Sequence, residues 1–250
     1  MSEGNRIYGD KVDLKADRDI REFFDKRADK YMEGKKNRYT TVLLGDENPE
    51  YAGMWNQYEI DFILPYLRVE RTHKVLDIGC GVGRWAETVA SVCGTYVGAD
   101  FSGEMVRAAR KHFSNAQNVT FVQSSFQDIF SERVVADQKF DTVIIAGVSM
   151  YINDRELTEC FAQLRKILNK DAIVYMEESV GVRERLTLDG IWSENLDDNY
   201  HAIYRTKEEY MQLLQPLLAN AEVLKTDYFE NLDKKNMAET SHLYILLKNN

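Results

Sequence analysis

Apolar and polar residues alternate along this chain with two periods, and the changes between them predict its elements. From residue 74 onward, strand-sized apolar runs are followed by stretches with apolar residues every three or four positions, which is typical of helices. Alternating strands and helices imply a parallel sheet with helices on both faces. The predicted strands are 74–78, 95–99, 119–123, 140–146, 171–177, 221–229 and 241–248, and the predicted helices are 83–92, 103–112, 154–168 and 206–219, with a short irregular helix near 126–135.

The two ends of the chain modify this picture. The last two predicted strands are joined by a polar stretch, so we expect an antiparallel hairpin at one edge of the sheet. Near the N-terminus, residues 17–33 and 50–67 show helical periodicity, and the loop 39–46 between them is too apolar for a solvated linker. We therefore predict that this loop folds over a ligand. The predicted organisation is a helical cap or lid at 1–69 and a main domain at 70–250, with an insertion at about 179–205.

Composition excludes several classes of partner. The formal net charge is −9, whereas binding to nucleic-acid phosphates needs a basic surface, so nucleic acid is not expected as a partner. Cys80, Cys93 and Cys160 have no C-x-x-C spacing, and no acidic cluster has a histidine at ligand spacing, so neither a disulfide nor a metal site is predicted. No signal peptide and no apolar run long enough to span a membrane is seen, and a cytoplasmic location is expected. A homodimer is left open.

The most specific motif follows the first strand of the main domain. Residues 74–83 place an acid, Asp77, before three glycines at every second position, where a ligand can approach the backbone closely. Asp100 ends the next strand, and its carboxylate is placed to accept hydrogen bonds from both hydroxyls of a ribose. A dinucleotide fingerprint would require glycine at Arg84. The acid would also repel a pyrophosphate and attract an ammonium group.

These residues resemble the first motif of the class I S-adenosylmethionine-dependent methyltransferases, and the resemblance covers about residues 70–178. It implies an α/β, Rossmann-like fold with a seven-stranded mixed sheet, helices on both faces and an N-terminal helical lid. It also implies S-adenosyl-L-methionine as the cofactor. Asp77, Gly79 and Gly81 would then contact the methionine end of the cofactor, and Asp100 the ribose.

The same resemblance assigns further residues to the cofactor. Phe101 and Met105 would flank the adenine, although both could simply pack under the helix 103–112. Ser102 can serve as the cap of that helix and as an adenosine contact. The remaining assignments are Ser125 and Phe126 at the adenine edge, Ala146 and Gly147 on the sulfonium side, and Tyr39 in the apolar loop.

The acceptor is expected to bind between the cap and the insertion 179–205, which is rich in polar side chains. This segment resembles bacterial methyltransferases of sugar and surface-polysaccharide biosynthesis, which implies an oxygen acceptor on a sugar, a sugar nucleotide or a glycan end. Glu177 and His201 are the candidate bases. The other candidates are Tyr151 near the methyl group and, for the acceptor, Arg185, Tyr204 and Arg205, either arginine serving as a clamp for a phosphate.

Each of these assignments has a structural alternative. His201 could be a surface histidine, and Tyr151 an aromatic residue lining the core. Arg185 and Arg205 could pair with neighbouring acids on a solvated face. At the level of function, two alternatives to sugar O-methylation remain. The chain could methylate a secondary metabolite or an amine, or it could be a cofactor-binding module without catalysis.

Overall fold

The computed structural model describes residues 4–43, 48–230 and 239–250, which form two sheets with helices around the larger one. The strands are β1 (Asn5–Tyr8), β2 (Lys74–Ile78), β3 (Thr95–Asp100), β4 (Val119–Gln123), β5 (Phe140–Ala146), β6 (Leu168–Gly181), β7 (Leu186–Ser193), β8 (Asp198–Tyr204), β9 (Ala221–Tyr228) and β10 (Thr240–Asn249). The helices are α1 (Asp17–Met32), α2 (Arg38–Val42), α3 (Pro49–Leu67), α4 (Ala86–Val89), α5 (Gly103–His112), α6 (Arg133–Ala136), α7 (Asp154–Leu164), α8 (Lys207–Leu213) and α9 (Gln215–Leu218).

The larger sheet confirms the predicted fold class. Its strand order, among the described residues, is β4-β3-β2-β5-β6-β10-β9. The first five strands are parallel, and β10 runs antiparallel between β6 and β9, as the hairpin prediction required. One apolar cluster packs against each face of this sheet, the first with α7 to α9 and the second with α3 and α5. The parallel strands bring their carboxyl ends to one edge, where ligands bind in open α/β sheets.

The insertion 179–205, for which neither strand nor helix was predicted, contains regular structure. It forms the hairpin β7–β8, and β1 adds to β7, which gives a three-stranded antiparallel sheet. The inward positions of this hairpin are Leu186 and Leu188 on β7 and Tyr200 and Ala202 on β8, and they pack on Phe23 of α1. This alternation with period two is the strand signal that the polar composition concealed.

One helix prediction and one loop prediction also need correction. The predicted helix 83–92 is reduced to the single turn α4, because the residues before it form the glycine-rich turn and those after it make turn-like bonds such as Val92 N–H to the Val89 carbonyl. Part of the predicted loop 39–46 is helical, since Asn37 caps α2 by accepting from two backbone N–H groups. Residues 44–46 of that loop lie outside the described residues. No helix in the described part of the chain is long and apolar enough to cross a membrane.

Candidate functional site

A large cavity lies at the carboxyl edge of the parallel strands. Its volume is about 680 Å³, within the range of roughly 300–1,000 Å³ that is usual for small-molecule sites. Because the strand order is β4-β3-β2-β5-β6-β10-β9, the cavity has two sides. The β3 side is lined by Asp77, Gly79, Gly81, Asp100, Phe101, Met105, Ser125 and Phe126. The β10 side is lined by Trp55, Glu177, Ser179, Phe229, Glu230, Thr240, Ser241 and His242.

The glycine-rich turn and Asp100 form one unit on the β3 side. Gly81 has a positive φ of 52°, and its N–H donates to Oδ2 of Asp100 at 2.9 Å. Oδ1 of the same carboxylate accepts from the N–H of Ser102, also at 2.9 Å. Burial raises the pKa of Asp100 to about 6, although both amide bonds act in the opposite direction. A carboxylate has about four acceptor positions, so two remain for the hydroxyls of a ribose.

Asp77 is the second buried acid of this side, at the end of β2. The hydroxyl of Tyr96 donates to its Oδ2. Burial raises the pKa of Asp77 to about 7, while the hydrogen bond from Tyr96 and the charge of Arg84 lower it. A cationic group entering the cavity beside Asp77 would favour the ionised form. The acid is therefore suited to the ammonium of an amino acid.

The other residues predicted to contact the adenosine fall into two groups. Phe101, Met105, Ser125 and Phe126 line the cavity. Ser102 does not belong to the lining; it caps α5 and its hydroxyl donates to Asp25 of α1 at 2.5 Å. This bond ties α1 to the β3 side. Two further aromatic contacts of α1 cover the same region, Phe24 with Phe101 at 5.8 Å and Phe24 with Tyr151 at 5.3 Å between ring centroids.

The segment after β5 passes between the two sides of the cavity. Ala146, Gly147 and Tyr151 all line it. Gly147 has a positive φ of 69°, and a Cβ there would have no heavy atom within 3.8 Å, so a side chain would occupy cavity space. The following turn is held by buried Glu178, whose carboxylate accepts from the backbone N–H groups of residues 148, 149 and 150. Burial raises the pKa of Glu178 to about 8.

The β10 side contains a paired acid and histidine. Oε1 of Glu177, at the cavity end of β6, lies 2.8 Å from Nδ1 of His242 on β10. Burial lowers the pKa of His242, but the hydrogen bond and the charge of Glu177 outweigh it, so this pKa is raised overall. The imidazole ring lies 4.7 Å from the ring of Trp55, centroid to centroid. Sequence analysis proposed Glu177 but missed His242, whose place beside Glu177 follows only from the antiparallel pairing of β6 and β10.

His201 and Tyr39 lie away from this cavity. Nδ1 of His201 is 3.0 Å from Asp189 and accepts a hydrogen bond from the N–H of Gly190, within the three-stranded sheet. Tyr39 donates to Glu87 on the outer side of α4. Neither belongs to the described lining of the cavity, so the geometry does not support the predicted roles of His201 as base and Tyr39 as cofactor contact.

The two arginines of the insertion are structural. Arg205 is fully buried and donates to Asp154 and to the carbonyls of residues 149 and 152. Arg185 is also buried and donates to both oxygens of Asp154 and to Glu209. Burial raises the pKa of Asp154, but the two arginines more than compensate, and this pKa is lowered. Since neither arginine lines the cavity, the geometry does not support a phosphate clamp. Tyr204, the last residue of β8, does line the cavity.

Three features of the described residues suit S-adenosylmethionine. Asp77 and Asp100 are buried acids with acceptor capacity, Gly147 leaves space at the middle of the cavity, and two buried polar atoms of lining residues, Trp85 Nε1 and Ser124 Oγ, have no partner within the described part of the chain. Bound cofactor would offer partners for such atoms. Among the described residues, no group of histidine, cysteine and acid could hold a metal ion.

Comparison with known proteins agrees with this geometry. Residues 75–171 match a family described as a methyltransferase domain. A ubiquinone biosynthesis O-methyltransferase of Glaesserella parasuis serovar 5 (strain SH0165) is 27% identical over 106 residues, 41% of this chain and 44% of that protein. A demethylmenaquinone methyltransferase of Chlorobaculum tepidum is 27% identical over 199 residues, 73% of this chain and 76% of that protein.

A solved structure shows the same fold. Phosphoethanolamine N-methyltransferase 1 of Haemonchus contortus, in complex with phosphoethanolamine and S-adenosylhomocysteine, aligns with a TM-score of 0.67 at 18% identity. The alignment covers 96% of this chain and 50% of that one. The match to the Glaesserella protein spans less than half of that relative. Residues 75–171 are thus a methyltransferase domain with the class I fold, and S-adenosylmethionine is the cofactor of this domain.

Proposed function

We propose that this chain is an S-adenosylmethionine-dependent O-methyltransferase whose acceptor is a small molecule or glycan end with a hydroxyl group. The observation that carries the proposal is the Glu177–His242 pair, which lines the same cavity as Asp77 and Asp100. A base is what a hydroxyl acceptor requires, because the oxygen must lose its proton as it forms the new bond.

The proposed reaction assigns a role to each member of the pair. S-adenosylmethionine, when bound, supplies a methyl group on a sulfonium. The acceptor oxygen forms the bond to the methyl carbon as the carbon–sulfur bond breaks, and the hydroxyl proton passes to Nε2 of His242. Glu177 holds the ring through Nδ1 and stabilises the imidazolium that results. The raised pKa of His242 makes its neutral form a stronger base. α1 and the β7–β8 hairpin pack together on Met150, beside Tyr151 of the cavity lining.

Side chains of the β10 side support a sugar or glycan end without an anionic group among the acceptors considered. Ser179 and Ser241 contribute hydroxyl groups to the lining of this side, and Trp55 contributes an aromatic surface; Tyr204 of β8 adds a further hydroxyl-bearing residue to the cavity lining. Hydroxyl groups and an aromatic face suit a polyhydroxylated ring. The expectation of a sugar nucleotide depended on an arginine that binds its phosphate, and Arg185 and Arg205 are instead paired with Asp154. The O-methyltransferase named among the relatives supports oxygen as the acceptor atom.

N-methylation is the second candidate. It is favoured by the acidic β10 side, where Glu177 and Glu230 could hold an amine, and by the N-methyltransferase among the structural neighbours. S-adenosylhomocysteine production should be measured with matched hydroxyl and amine acceptors, and the methylated atom identified by mass spectrometry. Methylation of amines alone would replace the O-methyltransferase proposal. Cofactor binding without turnover on any acceptor would favour a non-catalytic module.

The role of His242 can be tested against a matched histidine. We expect His242→Gln to lower kcat by about 10²–10⁴-fold, the usual contribution of a general base, with the affinity for S-adenosylhomocysteine nearly unchanged. The control is His201→Gln, which removes another carboxylate-paired histidine, outside the described lining of the cavity. Equal activities of the two variants on a hydroxyl acceptor would contradict the assignment.

A further inference from the structure

The β10 side of the cavity is unevenly charged. Its ionisable lining residues are Glu177, Glu230 and His242, and none of its described lining residues is a lysine or arginine. The described lining of the whole cavity contains two arginines, and each already contacts another side chain. Arg84 is buried and donates to Glu59 at 2.6 Å, and Arg21 lies over the ring of Phe101 on the β3 side, 5.8 Å from its centroid.

This arrangement disfavours an anionic acceptor. A phosphate or carboxylate on the β10 side would lose its hydration without gaining an arginine or lysine, and it would lie beside two carboxylates. The buried acid Glu59 also raises the pKa of His242, but its charge is balanced by Arg84, so the excess negative charge of this side comes from Glu177 and Glu230. A cationic group meets the opposite conditions, because carboxylates and aromatic rings both attract it.

The aromatic part of the wall is formed by Trp55 and Phe229. Their rings meet edge to face at 5.4 Å between centroids, and the backbone N–H of Phe229 donates to the carbonyl of His242. The next residue, Glu230, is exposed at the rim of the cavity. Glu230 and both aromatic residues line the same cavity, and a carboxylate together with aromatic rings is a suitable environment for an ammonium group.

We infer that the acceptor carries an ammonium group in addition to the methylated group, as an amino sugar does, and that Glu230 selects for it. The inference rests on the proposed function only in that the β10 side holds the acceptor. An ammonium bound beside the Glu177–His242 pair would also favour the neutral form of His242, which is the form that can accept a proton. Charge selection and base function would then support each other.

Binding to the protein saturated with S-adenosylhomocysteine tests this without any turnover. Two sets of probes are used, and each set presents a cation, a neutral compound and an anion on one scaffold. The sugar set is methyl glucosaminide, methyl glucoside and methyl glucuronide, and the catechol set is dopamine, 4-methylcatechol and 3,4-dihydroxyphenylacetate. By calorimetry we expect the cation to bind about tenfold more tightly than the neutral probe in at least one set, as for a partly buried charge pair. The anion should bind more weakly than the neutral probe in that set.

The variant Glu230→Gln should reduce the ratio of cation to neutral affinity by at least about threefold and leave the neutral affinity unchanged. Glu222→Gln on exposed β9 is the control for net charge and should change neither value. Preference for the anion, equal losses for cation and neutral probe, or no binding of either cation would overturn the inference. If the charge order holds but no hydroxyl is methylated, the proposed function fails and the charge selection stands.

Discussion

Cofactor binding should depend on pH because two buried acids of the β3 side have raised pKa values. Burial raises the pKa of Asp77 to about 7 and that of Asp100 to about 6. Both acids should be ionised in the complex, Asp77 beside the ammonium of the cofactor and Asp100 on the ribose hydroxyls. Binding should therefore release protons from whichever of the two acids is protonated in the free protein.

The size of the effect follows from these two pKa values. At pH 8 both acids are largely ionised, so acidification is the perturbation. At pH 5, protonation of Asp77 costs about 100-fold in affinity and protonation of Asp100 about tenfold, if the pKa values in the complex lie well below 5. We expect S-adenosylhomocysteine to bind about 10²–10³-fold more weakly at pH 5 than at pH 8, with most of the change below pH 7.

Stability of the free protein should change in the opposite direction. An acid whose pKa is raised in the folded state binds its proton more tightly when folded, so it destabilises the fold above its folded pKa and ceases to do so below its unfolded pKa. As the pH falls from about 7 to 4, Asp77 and Asp100 should therefore destabilise the folded state less, while the affinity for the cofactor falls. A general loss of structure in acid would lower both quantities.

Titration calorimetry between pH 5 and pH 8, in two buffers with different heats of ionisation, measures both affinity and proton release. Asp100→Asn should bind more weakly at pH 8 and show a shallower dependence on pH, because one titrating group is gone. Asp61→Asn, an exposed acid of α3, is the matched control. An affinity independent of pH in the folded wild-type protein, with no release of protons, would refute the assignment of both acids.

Two further predictions concern the cap and the insertion. Asp154→Ala should lower the unfolding free energy measured in urea by about 3–5 kcal/mol, because Arg185 and Arg205 would stay buried without their shared carboxylate. The control Asp137→Ala removes an exposed ion pair and should leave the urea midpoint of unfolding nearly unchanged. Hydrogen exchange of residues 17–43 should slow when S-adenosylhomocysteine binds, since α1 covers the β3 side, and equal exchange in both states would refute a ligand-dependent lid.

The sequence was most informative where structure depends on neighbouring residues. The strands at β2 to β5, the helix α5 and the glycine-rich turn were predicted within a few residues, because period and turn chemistry are local signals. The placement of Asp77 and Asp100 at one edge followed from the parallel order of their strands. Long-range pairing carried no such signal. β1 pairs with β7 across about 180 residues of chain, and four residues of β1 have no pattern of their own.

The same distinction explains why the sequence pointed to His201 and not to His242, which we propose as the base. His201 lies within the polar insertion that sequence analysis assigned to the acceptor, whereas His242 lies in a strand predicted at the edge of the sheet. The register of β6 against β10 pairs Ser179 with His242, which brings the histidine beside Glu177. A shift of that register by one residue would turn His242 to the opposite face of the sheet. No spacing along the chain reports that register.

The insertion influences the site by holding the backbone of a neighbouring turn, and its buried arginines do not line the cavity. Arg205 donates to the carbonyls of residues 149 and 152 and to Asp154, so it holds the turn that carries Tyr151. From the other side, Glu178 accepts from the N–H groups of the same turn, and the hydroxyl of Tyr200 lies 2.9 Å from that of Tyr151. Because buried charged groups on both sides hold this turn, we expect differences between acceptors to be recognised on the β10 side.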